Sequence, residues 1–223
     1  MSEMVISGRK EACSPRGRVT RSLLGYGVFA GPFYVGVALV QALFLRPGFD
    51  LAHDDVSLLS NGDLGWIQVA NFVVTGAMVI AAAVGLHRAL PGGWAPRLLG
   101  LYGLGLIGAG IFAADPMNGF PAGAPAGHPT SITIHGILHL VCAGIGFIGL
   151  VAACFVMARG FARTGNRTWR WFSIATGAIF LIGFGAIASG SSSSAVVAGF
   201  WVALLLAWAW LAAVAVYLYR RTT

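Results

Sequence analysis

His135 and His139 stand four residues apart, so a helix would present both imidazoles on one face, a spacing that suits a metal ion. Ahead of them lies Asp115, followed by Pro116, at the end of an apolar run. A carboxylate there opposes the dipole of its own helix, so it needs a cation, a proton or several donors. Further upstream, the stretch from His53 to Asp63 holds three aspartates, Asp54, Asp55 and Asp63, together with Ser57 and Ser60. Aspartates before a short apolar turn, then Asn61-Gly62, predict a small capped helix, with Asp63 as N-cap of the helix that follows. Gln68, Asn71 and Thr75 continue from there at spacings of three and four, which puts them on one helical face. They read either as hydrogen-bonding glue between helices or as the polar wall of a cavity lined also by Trp66.

Two chemistries suit these residue types. A zinc ion held by His135, His139 and either Asp115 or His53 would keep an open position for water, which ionises near neutral pH and attacks an ester or amide. Asp54 or Asp55 would then act as base or orient a ligand histidine, and Ser57 would donate to an oxyanion. Without metal, a protonated carboxyl whose pKa is raised by burial would act as an acid toward a lipid double bond or leaving group. His128, beside Pro129, reads as a solvated loop residue. Bis-histidine haem is disfavoured because His135 and His139 share one helix. There is no nucleotide fingerprint and no nucleophile elbow.

The elements that must position these residues are membrane helices. Of 223 residues, 57% are hydrophobic and only 9% charged, with a mean hydropathy of +0.81. A soluble domain carries about 25% charged residues, so the composition predicts an all-α integral membrane protein. Six apolar stretches reach the roughly 20 residues needed to cross a bilayer, at about 22–46, 64–87, 97–117, 132–158, 171–190 and 195–219. They form a single six-transmembrane-helix bundle over 22–219, after a basic tail over 1–21. Small residues at every fourth position, as in Gly105, Ala109 and Ala113, predict close helix packing. Pro32 is expected to kink the first span, and Ser191–Ser194 to form a short turn. Cys13, Cys142 and Cys154 make no disulfide framework.

Charge orients the bundle. Of the 14 basic residues, all but Arg46 fall in the N-terminal tail, at the C-terminus, or at every second connection. The positive-inside rule makes that side cytoplasmic, with the N and C termini both inside. The net charge of +7 is thus a topology signal and no nucleic-acid footprint. The acids Asp50, Asp54, Asp55, Asp63 and Asp115, with His53, His128, His135 and His139, gather on the outer side instead. Abundant Ala and Gly with a single Lys suit a bacterial chain, placed in the cytoplasmic (inner) membrane as a multi-pass protein.

The string from His53-Asp54-Asp55 through Ser57, Gly62, Gly65 and Trp66 to Gln68 resembles the bacterial membrane family known as domain of unknown function 998. So do Phe112-Ala113-Ala114-Asp115-Pro116, with Gly119 and Pro121, and the following His135. That resemblance spans about residues 20–220 and implies a six-span fold without an established activity. A looser, site-level similarity is to the alkaline ceramidases and adiponectin receptors, which hold zinc with histidines that include an H-x-x-x-H pair. It implies zinc, and it departs from this chain in span number, in the order of His53 and Ser57, and in the span carrying the pair. The expected function is therefore metal-dependent hydrolysis of a lipid-like substrate. Non-catalytic binding or transport of a lipid or cation, metal-free lipid isomerisation or cyclisation, and an accessory subunit docking through the acidic outer loop stand as alternatives. The expected partners are membrane lipids or a lipid-like small molecule.

Overall fold

The computed structural model describes residues 14–129 and 131–222. Among them there is no strand, and six α-helices carry the chain: α1 Pro15–Val40, α2 Gly65–Ala89, α3 Ala95–Ile111, α4 Ile134–Arg163, α5 Arg167–Ala188 and α6 Ser194–Tyr219. One wide π-helical turn, Gln41–Leu45, extends α1. A 3-10 turn, Val56–Ser60, precedes α2 where the acid-rich stretch predicts a small helix. Five of the segments are long and apolar enough to cross a membrane; α3 is shorter. Cys13 and the first basic and acidic residues of the tail lie outside the described residues.

Each helix packs on its sequence neighbour, and α6 closes back on α1, which makes a ring of six. The ends are distinguishable. At the basic end, the Arg21 side chain donates to the Tyr219 carbonyl (3.3 Å) and Arg88 to the Thr20 hydroxyl (3.1 Å), which joins the ends of α1, α2 and α6. At the opposite, acidic end, Asn118 donates to the His53 carbonyl (3.2 Å), tying two connections together.

Small residues let the helices of the ring touch backbone to backbone. A Cβ placed on Gly105 of α3 would come within 2.6 Å of Gly146 of α4, and one on Gly103 within 2.7 Å of the Gly76 carbonyl of α2. In a membrane, where lipid tails are as apolar as leucine, such close approach supplies dispersion that the hydrophobic effect does not. Side-chain hydroxyls or amides at Ser14, Thr133, Asn166 and Ser193 cap α1, α4, α5 and α6.

Several expected boundaries move. The third span, expected over 97–117, ends as helix at Ile111, where Phe112 turns to an extended conformation (φ −102°, ψ 99°); Pro116 has no N–H for the Phe112 carbonyl and its ring would clash with it in a continued helix. The first helix begins at Pro15 rather than at 22, and continues as helix through Pro32. Leu64, not Asp63, precedes α2 as its N-cap, without a side-chain bond.

Candidate functional site

The ring encloses a cavity of about 450 Å³ that every helix helps to line. Its inner part is apolar and aromatic, built from Tyr34 of α1, Phe72 of α2, Tyr102 and Leu106 of α3, Phe147 of α4 and Leu204 of α6. Its mouth at the acidic end is polar, with Asp55, Ser57, Asp115, Asn118 and Ser191 on the rim. From Tyr102 to Ile111 a helix rises about 14 Å, so the floor lies well inside the bundle. Tyr102 is 1% exposed, and its hydroxyl has no hydrogen-bond partner among the described residues. That leaves a buried donor beside an open volume, an arrangement that costs free energy unless an acceptor arrives.

Asp115 stands beyond the end of α3 and reaches across to the start of α4. Its Oδ2 accepts from the Thr133 amide at 3.0 Å and its Oδ1 from the Thr133 hydroxyl at 2.6 Å. The Thr133 hydroxyl in turn accepts from the Gly136 amide at 3.0 Å. A Cβ on Gly136 would lie 2.1 Å from Asp115 Oδ2, so the carboxylate rests on the first turn of α4 where only glycine leaves room. The unfavourable dipole expected from α3 becomes a favourable one from α4, since the carboxylate faces a helix N-terminus.

His139 is 5% exposed on α4. Its Nδ1 lies 2.8 Å from both the Ala109 and the Phe112 carbonyls. Two acceptors at one nitrogen place the proton on Nδ1, where it satisfies carbonyls freed at the end of α3. His139 also lines the cavity. His135 does not. It is exposed, one turn away, with its ring 5.9 Å from that of Phe112.

The acidic stretch divides in the same way. Asp54 is 2% exposed, accepts from the Asp50 amide at 2.8 Å, and is absent from the cavity wall. Asp55 faces the cavity; burial, with the nearby Asp54 charge, pushes its carboxyl up to about 6. Burial also raises Asp54, against the bonds it accepts. Exposed Asp50 is lowered, chiefly by the Ala52 amide and then by His53. His53 Nδ1 meets Asp50 Oδ2 at 2.8 Å, at the rim of the mouth.

Gln68, Asn71 and Thr75 share a face as expected, but that face looks into the α1–α2 contact and not into the cavity. Gln41 donates to Gln68 Oε1 (2.8 Å), and Asn71 Nδ2 lies 3.0 Å from the Tyr34 carbonyl and 3.2 Å from Gln68 Oε1. Thr75 donates to Asn71 Oδ1 at 3.3 Å. Trp66 is 66% exposed and away from the cavity.

Among the described residues, no three His, Cys, Asp or Glu side chains are grouped to hold a metal ion. His53, Asp115, His135 and His139 are therefore not brought together as one zinc ligand set. His139 already spends Nδ1 on carbonyls, Asp115 both oxygens on Thr133, and His135 lies outside the cavity.

Three further residues, Arg46, Tyr34 and Tyr102, stand outside the polar motifs of the sequence. Arg46, among the described residues the one Lys or Arg at the acidic end, is 6% exposed. It donates to the carbonyls of Leu59 (2.7 Å) and Asn61 and stacks over Phe120 at 4.9 Å, which holds the 3-10 turn against the α3–α4 connection. Its isolation on the wrong side of the charge asymmetry was the signal available in the sequence. Tyr34 and Tyr102 had no such signal, since tyrosines at apolar positions resemble core.

A family model described as "Protein of unknown function (DUF998)" matches residues 15–217, from the first turn of α1 into the last turn of α6. The chain belongs to that family. No curated protein and no solved structure matches it. This DUF998 protein is thus a multi-pass helical membrane protein whose family membership assigns no reaction.

Proposed function

We propose that this DUF998 protein spans the bacterial inner membrane six times, with both termini cytoplasmic, and binds a lipid-like amphiphile from the outer leaflet. α3 completes the sixth span with the residues that follow it. The observation that carries this reading is the axial cavity with a polar mouth and an aromatic floor. Its volume suits a drug-sized or single-chain ligand. Asp55, Ser57 and Asn118 would meet a polar head, the aromatic wall an apolar chain, and the Tyr102 hydroxyl an oxygen of that chain. Zinc-dependent hydrolysis finds no grouped ligands among the described residues, so no step of this reading runs through a metal.

One observation favours a second, catalytic reading. Asp55 lines the cavity with a carboxyl near 6, so both its acid and its base forms are populated near neutral pH, as metal-free acid–base chemistry on a lipid requires.

Native mass spectrometry on protein purified from bacterial membranes tests the binding reading, beside an Ala143→Trp variant that fills the cavity. The wild type should carry an amphiphile, identifiable after organic extraction, at about tenfold higher occupancy than the folded variant. Equal occupancy in both, or none after incubation with total bacterial lipid, would overturn it. Turnover of the extracted amphiphile, lost in Asp55→Asn, would select the catalytic reading.

A further inference from the structure

A second cavity, of about 640 Å³, opens at the opposite, basic end of the ring. Its walls come from the α2–α3 turn, the last turns of α4 and the end of α6. Arg159 and Arg163, one helical turn apart on α4, and Arg221 beyond α6 all line it. The positive-inside rule requires arginines at this end, but it does not require three of them to converge on one interhelical cavity from two separate elements.

None of the three has an acidic partner among the described residues. The one ion pair there is His53–Asp50, at the far end, and Asp54, Asp55, Asp63 and Asp115 belong to that end as well. Arg221 is held by stacking instead, its guanidinium 4.1 Å from the Tyr217 ring centre. Apart from Thr164 the rest of the wall is mainly apolar, with Leu90, Val156, Met157 and Leu218, and Trp94 stands on the rim with 64% of its surface exposed. Guanidinium groups without carboxylates, above an apolar slot and beside an interfacial tryptophan, match an anionic headgroup joined to acyl chains.

We propose that this cavity binds a phosphate group through Arg159, Arg163 and Arg221, presented either as the headgroup of an anionic phospholipid or as a free phosphate ion. The apolar wall favours the lipid source. The site is separate from the axial cavity and does not depend on what that cavity holds.

The test is thermal unfolding of the detergent-purified full chain with dioleoylphosphatidylglycerol, with dioleoylphosphatidylcholine, and with inorganic phosphate. Phosphatidylglycerol should raise the Tm of the wild type by about 5 °C, and phosphatidylcholine by much less. The variant Arg159→Gln/Arg163→Gln/Arg221→Gln should lose most of that shift. The control Arg167→Gln/Arg170→Gln/Arg220→Gln, which removes as much charge from the same end but outside the cavity, should keep it. A shift with inorganic phosphate alone, lost in the first variant and kept in the second, supports the site and identifies the free ion as its source. Equal shifts in both triple variants, shifts of the same size with the two lipids, or no shift with any of the three ligands would overturn the proposal. If the first variant does not fold, Arg163→Gln alone, read by native mass spectrometry as lost phosphatidylglycerol adducts, decides in the same way.

Discussion

The carboxylate of Asp115 takes both the amide and the hydroxyl hydrogen of Thr133, across the break between α3 and α4. That pair joins the end of one helix to the start of the next at the rim of the axial cavity. Asp115→Ala should cost about 1–3 kcal/mol, as two acceptors are lost together. Gly136→Ala should destabilise as well, because its Cβ displaces the same carboxylate. Chemical denaturation of the two single variants and the double variant checks this, the double costing less than the sum.

His135 and His139 should behave oppositely. His139→Ala strips the Ala109 and Phe112 carbonyls of their donor in a buried place, and a loss of about 2–3 kcal/mol follows. Exposed His135→Ala should stay within about 0.5 kcal/mol. Elemental mass spectrometry of the same samples should find no zinc that either substitution removes; one zinc per chain, lost in both, would restore the metal reading.

Asp55 should make stability fall with rising pH. Its carboxyl is raised in the folded protein to about 6 from an ordinary value of 3.8, so between those values the folded state holds the extra proton. Its contribution is present below about pH 4 and is lost as pH climbs through 6. The Tm of Asp55→Asn should therefore change less between pH 4.5 and 7 than that of the wild type. Equal slopes would show that other groups carry the dependence.

The Gln41–Gln68–Asn71–Thr75 ladder should act as structure. Asn71→Leu removes the bond to the Tyr34 carbonyl, with an expected loss of about 1 kcal/mol. Amphiphile occupancy measured by native mass spectrometry should be unchanged, because Asn71 lies outside the cavity.

Membrane character, the helical class and the approximate ends of most helices were legible in the sequence. Burial in lipid demands long apolar segments with self-satisfied backbones, and that demand is written in composition and length. The polar neighbourhood of the axial cavity was legible too: Asp55, Ser57, Asp115 and His139 line it, and Asn61-Gly62 ends the 3-10 turn, with Gly62 at φ +71°. Which face of a helix looks inward was not legible, because segments that are apolar all round have almost no periodicity. Only the ring closure decided that the polar face of α2 meets α1, that His135 turns outward while His139 turns in, and that Asp115 belongs to α4. The same closure made an enclosed volume from Tyr34, Phe72, Tyr102 and Phe147, which as sequence are ordinary core residues. A cavity is a property of six helices together, whereas hydropathy is a property of each one alone.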